Sequence, residues 1–199
     1  QERPYLLSPS HRDLFDDVLA YVRGQVQDTS GTKLEQRVRW WSALSLLRAM
    51  ASSPAAARAT LATRSAAASA QSTRAADDLG RAEVLDLAED DALDGADATP
   101  GAVTDDTPGS RGRRMLAQLA DRADQLQSQP EDDAKLNVLV TEIRKMLKDK
   151  DAGGAGFHPI VFCRFIQTAH YVTAGLRKAF PKVAIEVVTG EHAADERSA

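Results

Sequence analysis

A single cysteine, Cys163, stands among the 199 residues. No intramolecular disulfide can therefore brace the fold, and a reducing compartment suits the chain. Aromatic residues are scarce at 5%, although the hydrophobic fraction reaches 43%. Much of that fraction is alanine, which buries little area, so a core must rest on a limited set of Leu, Val, Ile, Phe and Trp. No apolar run approaches the roughly 20 residues that span a bilayer, and no membrane partner is expected. The opening QERPYLLSPSHRD lacks the charged and apolar regions of a signal peptide, which makes a cytoplasmic location the expectation. An excess of positive charge is also missing. The formal net charge is -4, so there is no global signal for nucleic acid, although a local basic patch remains open. The chain opens on Gln1 rather than Met and ends on EHAADERSA, and we expect a piece of a longer polypeptide.

What is present is helical periodicity. Ser10 with Asp13 resembles a capping box, and Leu14, Phe15, Val18, Leu19 and Val22 recur at helical spacing, with Gly24 as a stop. Leu34, Val38, Trp41, Leu44 and Leu47 form the strongest stripe, widened by Trp40, Ala43 and Met50. Ser53 and Pro54 read as an N-cap and first helical residue. The alanine-rich stretch behind them has few large anchors, which suggests a lightly packed surface helix. Residues 81–110 turn acidic and then rich in Gly, Pro, Asp and Thr, a short amphipathic segment followed by a flexible linker near 95–110. Helical pattern returns at 112–128 and again at about 131–150. In the latter, acidic residues at the start and lysines near the end suit the helix macrodipole.

The period then changes. PIVFCRF at 159–165 is short, apolar and bounded by turns, like a buried strand. Thr168 can cap a helix that runs to about Phe180, where Pro181 breaks it, and KVAIEVV at 182–188 reads as a second strand. Strand, helix and strand within about 30 residues make a βαβ unit. The expected fold is therefore mostly α with a C-terminal βαβ unit.

Two segments carry a resemblance. Residues 135–197 contain a leading Lys135, VFCRF at 161–165, Thr168, the pair Thr189–Gly190 and DER at 195–197. In this order and spacing they resemble the opening of the second RecA-like lobe in Swi/Snf-type superfamily-two ATPases, VFCRF standing at the fourth helicase motif. YLLSPSHRDLFDDVLAYVR at 5–23 is similar to the stretch after the first lobe in that family, and the helix 33–50 followed by SSP to the helix leading toward the second lobe. The resemblance implies a helical segment at 1–54, an insertion at 55–130, and the start of a RecA-like parallel α/β lobe at 131–199. It implies a fragment of an ATP-dependent DNA translocase, with ATP and Mg²⁺ bound by the parent rather than by this piece. The implied partners are DNA, through the parent, and the first RecA-like lobe of the same polypeptide. The fragment has no G-x-x-x-x-G-K-[ST] loop and no acidic metal motif. It should not hydrolyse ATP alone, since hydrolysis needs a phosphate cradle, Mg²⁺ and charge stabilisation together.

Arg164 and Gln167 follow the first expected strand, at the end where open parallel sheets bind ligands. The resemblance points them at the nucleic-acid backbone or the neighbouring lobe, and the alternative is a solvated loop. Thr189 and Gly190 follow the second strand, where a free backbone N–H can bind phosphate, against an ordinary turn. Cys163 reads as a small buried residue rather than a nucleophile, since no base is positioned beside it. His11, His158, His170 and His192 lack the spacing of zinc ligands. Trp40 and Trp41 suit a helix core better than a base-stacking platform. RGRR at 111–114 with Arg122 could touch phosphate, or be the solvated start of a helix. Strand edges left open invite self-association. The alternative to the motor reading is a stand-alone helical module that binds protein.

Overall fold

The computed structural model describes residues 2–63, 111–149 and 156–189. Among them are six α-helices: α1 (Pro9–Gln27), α2 (Lys33–Ser52), α3 (Pro54–Thr63), α4 (Arg111–Gln127), α5 (Ala134–Met146) and α6 (Ile166–Ala179). A 3₁₀ turn, Pro130–Asp132, leads from α4 into α5.

This all-helical order corrects the fold expected from the sequence. Among the described residues the C-terminal βαβ unit, and with it the start of a RecA-like parallel lobe, is not found: 159–163 and 183–188 flank α6, but neither carries a ladder. A strand is a property of a pair, because its backbone N–H and C=O groups must be satisfied by a neighbour. Apolar β-branched sequence raises strand propensity and does not supply the partner.

On α1 and α4 the core is built where the helical periodicity placed it, whereas on α2 it turns to Ala43, Leu46 and Ala49, and Leu34, Leu44 and Leu47 of the expected stripe are only half-buried. Leu14, Val18 and Val22 of α1 meet Ala43 and Leu46 of α2, Ala57 and Leu61 of α3, and Leu116, Leu119, Ala123 and Leu126 of α4. Two caps differ from expectation. Helix α1 begins at Pro9 behind Ser8, not at Ser10, and runs through Gly24 to Gln27. Gly24 is exposed and needs no left-handed conformation, so nothing there ends the helix. Helix α2 carries a reciprocal capping box in which the Glu35 amide donates to Thr32 Oγ1 at 3.2 Å and the Thr32 amide donates to the Glu35 carboxylate at 2.6 Å. Gly31, just before it, has φ +82°, a left-handed conformation that favours glycine, and a Cβ there would also collide with the Glu35 carboxylate.

Helix α3 is the larger surprise. The alanine-rich stretch expected to lie lightly on the surface packs, over its described part up to Thr63, against α2, α4 and α6; the rest lies outside the described residues. Ala55, Ala56, Ala57, Thr60 and Leu61 are all buried. Alanine contributes little area per residue, but its small side chain lets neighbouring helix backbones come close, so a poor anchor becomes a good spacer. Of the tryptophan pair, Trp41 is buried and Trp40 exposed, their rings edge to face at 4.6 Å between centroids.

Charged groups tie the helices at their edges. Arg122 of α4 pairs with Asp17 of α1, Arg58 of α3 with Asp124 of α4 at 2.6 Å, and Arg3 with Glu142 of α5 at 2.8 Å. Such partly exposed pairs contribute about 0–1 kcal/mol each. Arg39 differs in being buried: its guanidinium donates to the backbone carbonyls of Asp28 (3.0 Å) and Ser30 and so fastens the α1–α2 loop to α2. Among the described residues, no helix is long and apolar enough to cross a membrane.

Candidate functional site

Three of the pieces singled out by motif order, Lys135, Thr168 and the Ser52–Ser53–Pro54 turn, come together at one polar junction. It lies where α2 passes into α3, under the first turns of α5 and α6. Ser53 serves two helices at once. Its N–H closes α2 on Ala49 O at 3.3 Å, while its hydroxyl and carbonyl accept the Ala56 and Ala57 amides of α3 at 3.1 and 3.0 Å. Pro54 follows at the first helical position, where its missing N–H costs nothing.

Thr168 reaches this turn from the first turn of α6. Its Oγ1 lies 2.7 Å from Ser53 Oγ and 2.8 Å from Ser52 Oγ, and both Thr168 and Ser53 are buried. The sequence suggested that Thr168 caps α6. Instead α6 starts at Ile166 behind Phe165, which makes no side-chain cap bond, and the threonine hydroxyl goes to a tertiary contact. Lys135, in the first turn of α5, donates from Nζ to the carbonyls of Ala51 and Ser52 at 2.9 and 3.0 Å. A cation there meets the partial negative charge of the α2 C-terminus and satisfies carbonyls that the helix leaves open.

Asp133 completes the arrangement. It is buried and caps α5, accepting from the Lys135 and Leu136 amides at 2.9 and 3.1 Å, while its other oxygen accepts from Tyr171 Oη of α6 at 3.1 Å. Burial first, and then the Asp133 carboxylate, push the Tyr171 hydroxyl far above the ordinary tyrosine range. A raised folded-state value favours the neutral phenol in the folded chain. Its stabilising effect is complete below the unfolded value near pH 10, and is lost as pH rises from there toward the folded value. Thermal melts stepped upward from about pH 9 should therefore fall more steeply for the wild type than for Tyr171→Phe, and parallel curves would remove Tyr171 from the alkaline limit.

The expected site residues surround this junction unevenly. Arg164 sits just before α6, half-buried, its guanidinium 5.7 Å from the Phe165 ring centroid. Gln167 lies in the first turn of α6 and lines a cleft of about 520 Å³ between α3 and α6, together with Arg58, His170, Tyr171 and Lys178. The two cations of that cleft face counter-charges, Asp124 for Arg58 and, at 3.9 Å, Glu131 for Lys178. Thr189 is buried, so its side chain is covered, and Gly190 lies outside the described residues. Cys163 is half-buried, and burial pushes its thiol up while Lys135 pulls the other way. A thiol held protonated is a poor nucleophile, in keeping with a packing role. Among the described residues, no three His, Cys, Asp or Glu side chains form a group that could hold a metal ion.

Sequence reasoning missed Asp133 and Tyr171 as members of this junction. Asp133 was accessible to it, as an Asp directly before an apolar-periodic run is a cap signature. Nothing local distinguishes Tyr171. Comparison with family models, with curated proteins and with solved structures gives no match to this chain.

Proposed function

We propose that this chain is a non-catalytic helical part of an ATP-driven translocase on double-stranded DNA. The support is one convergence. Lys135, Thr168 and the Ser52–Ser53–Pro54 turn resemble separate motif pieces in sequence, and they meet in a single hydrogen-bonded junction across as many as 116 positions. Residues gathered in this way hold the start of α6 at a fixed angle to the α2–α3 turn. Arg164 and Gln167 stand at that start, one a cation and the other a neutral donor. In this reading they contact backbone phosphates, which positions the protein on DNA without reading its sequence. ATP and Mg²⁺ would be held by the rest of the parent polypeptide, and the first, RecA-like motor lobe of that polypeptide would be the partner in cis. A cytoplasmic location belongs to the same proposal.

The second reading is a stand-alone helical module that binds protein. It is favoured by the all-helical order of the described residues and by the apolar side chains left exposed beside α6. Translating the reading frame on both sides separates the two. The translocase reading expects a phosphate loop and an acidic metal site upstream and an arginine-bearing motif downstream. The polypeptide so defined should hydrolyse ATP faster with DNA than without. Arg164→Ala in it should weaken DNA binding on all sequences alike and lower the salt slope by about one phosphate contact, with basal turnover unchanged. A frame without these motifs, or a polypeptide with no DNA-stimulated turnover, would leave the module reading standing.

A further inference from the structure

The fold takes the Arg39 guanidinium almost wholly out of solvent, leaving its side chain 8% exposed. Burying a cation is costly unless its donors are met. Two of its three nitrogens are provided for. Nη2 donates to the Asp28 and Ser30 carbonyls, and Nη1 stands 3.9 Å from the half-exposed Asp28 carboxylate. The third, Nε, is buried and finds no acceptor among the described residues. Few buried N–H groups stay in that condition, because such a group has given up water and received nothing in return.

The same side chain lines a small cavity between α1, α2 and α4, of about 10 Å³. That is close to the least room one water-sized particle needs. Helical spacing builds the walls. Arg39, Ser42 and Ala43 stand at i, i+3 and i+4 on α2, and Tyr21, Val22 and Gln25 lie within about one turn of α1. Leu116 of α4 completes the lining. A cavity walled only by apolar side chains stays dry. This one carries the polar side chains of Tyr21, Gln25, Arg39 and Ser42 beside the apolar Val22, Ala43 and Leu116.

We infer that this cavity is a binding site for a single water-sized hydrogen-bond acceptor, held by the Arg39 Nε–H and linking α1 to α2. Two requirements set the class of occupant. It accepts from a guanidinium N–H, which excludes metal cations and ammonium groups. It fits the cavity, which excludes phosphate, sulfate and carboxylate anions. A water molecule and a halide ion such as chloride meet both requirements. Water can accept from Nε–H and still donate to an oxygen of Ser42, Tyr21 or Gln25. Chloride instead brings a negative charge to the guanidinium. Either occupant steadies the loop. The guanidinium is planar, so a particle that fixes Nε also holds Nη2 at the Asp28 and Ser30 carbonyls that fasten the α1–α2 loop. The inference does not depend on the translocase reading, since it concerns the interior of this chain and is read out without ATP or DNA.

Two variants of the 199-residue chain remove the site in different ways. Arg39→Lys keeps a cation for the loop carbonyls but puts a methylene where the Nε–H stood. Val22→Ile keeps the guanidinium and adds a methylene to the wall of the cavity. Circular dichroism checks that each variant folds, and Val22→Ile decides alone if Arg39→Lys does not. Relaxation dispersion of water ¹⁷O counts the water molecules held longer than the chain tumbles. Thermal melts with acetate exchanged for chloride at constant ionic strength read the halide. A dispersion amplitude lower in both variants by about one water per chain, with melting indifferent to chloride, supports the site and identifies water. A wild-type melting temperature that rises with chloride, while those of the variants do not, supports the site and identifies the halide. Equal dispersion amplitudes together with chloride-indifferent melting would overturn the proposal, as would a change confined to one of two folded variants.

Discussion

Leu61→Ala is expected to destabilise the chain by about 2–5 kcal/mol, the range for deleting a fully buried leucine and leaving a cavity. Leu61 belongs to a helix whose sequence promised little, yet its side chain is fully buried in the core shared by α1, α2, α3 and α4. The lost transfer energy of the removed methyls and the partial collapse around the cavity both contribute, and the alanines on either face of α3 give the site little slack for repacking. Urea denaturation monitored by circular dichroism measures the loss directly. Leu6→Ala, at an exposed position, should change stability by about 0.5 kcal/mol or less and serves as the comparison. A loss at Leu61 no larger than at Leu6 would mean that α3 is not docked and that the core lacks its central spacer.

The second large effect is expected at Asp133. Asp133→Ala removes the cap of α5 and strands the Tyr171 hydroxyl in a part-buried position. Cap loss costs about 0.5–2 kcal/mol, and the lost hydrogen bond of the part-buried phenol about 1 kcal/mol more. Asp133→Asn keeps an acceptor for the cap and for the phenol and should recover most of the loss. The Tyr171→Phe change, alone and combined with Asp133→Ala, isolates the part owed to their contact. If the two losses simply add, the carboxylate and the phenol do not interact in the folded chain, and Asp133 acts as a helix cap and nothing more.

The sequence was most readable where a helix declares itself by period. Leu14, Val18 and Val22, or Leu116, Leu119, Ala123 and Leu126, lie on one face because of their spacing, and that face is the buried one. Ser53–Pro54 was equally readable as a helix start, because a cap works through its own neighbours. Readability failed wherever the deciding partner is remote. PIVFCRF and VAIEVV have the composition of strands, but a ladder needs a second backbone, and composition carries no record of one. Thr168 has the composition of a cap, yet its hydroxyl is committed to Ser53, more than a hundred positions away. The alanines of α3 were weighed by the area they bury and not by the closeness they permit. Of the candidate site, Arg164 and Gln167 were named from their places in the sequence. The polar junction that holds them in place was not, because it is assembled from four helices.

The distance along the chain between Thr168 and its serine partners has a consequence for the order of assembly. The Ala57 amide finds Ser53 four residues back, whereas the threonine hydroxyl must find a partner 115 residues back. The entropy lost on closing a loop grows with the logarithm of its length, and it is spent before the contact returns anything. The α2–α3 turn can therefore form early, as a local event, and offer a finished pair of hydroxyls to an α6 that arrives late. Contacts made after the rate-limiting step act on how fast the chain opens and not on how fast it closes. The seam between α6 and the α2–α3 turn is thus expected to behave as a latch, shutting after the turn itself and acting mainly on the rate of opening.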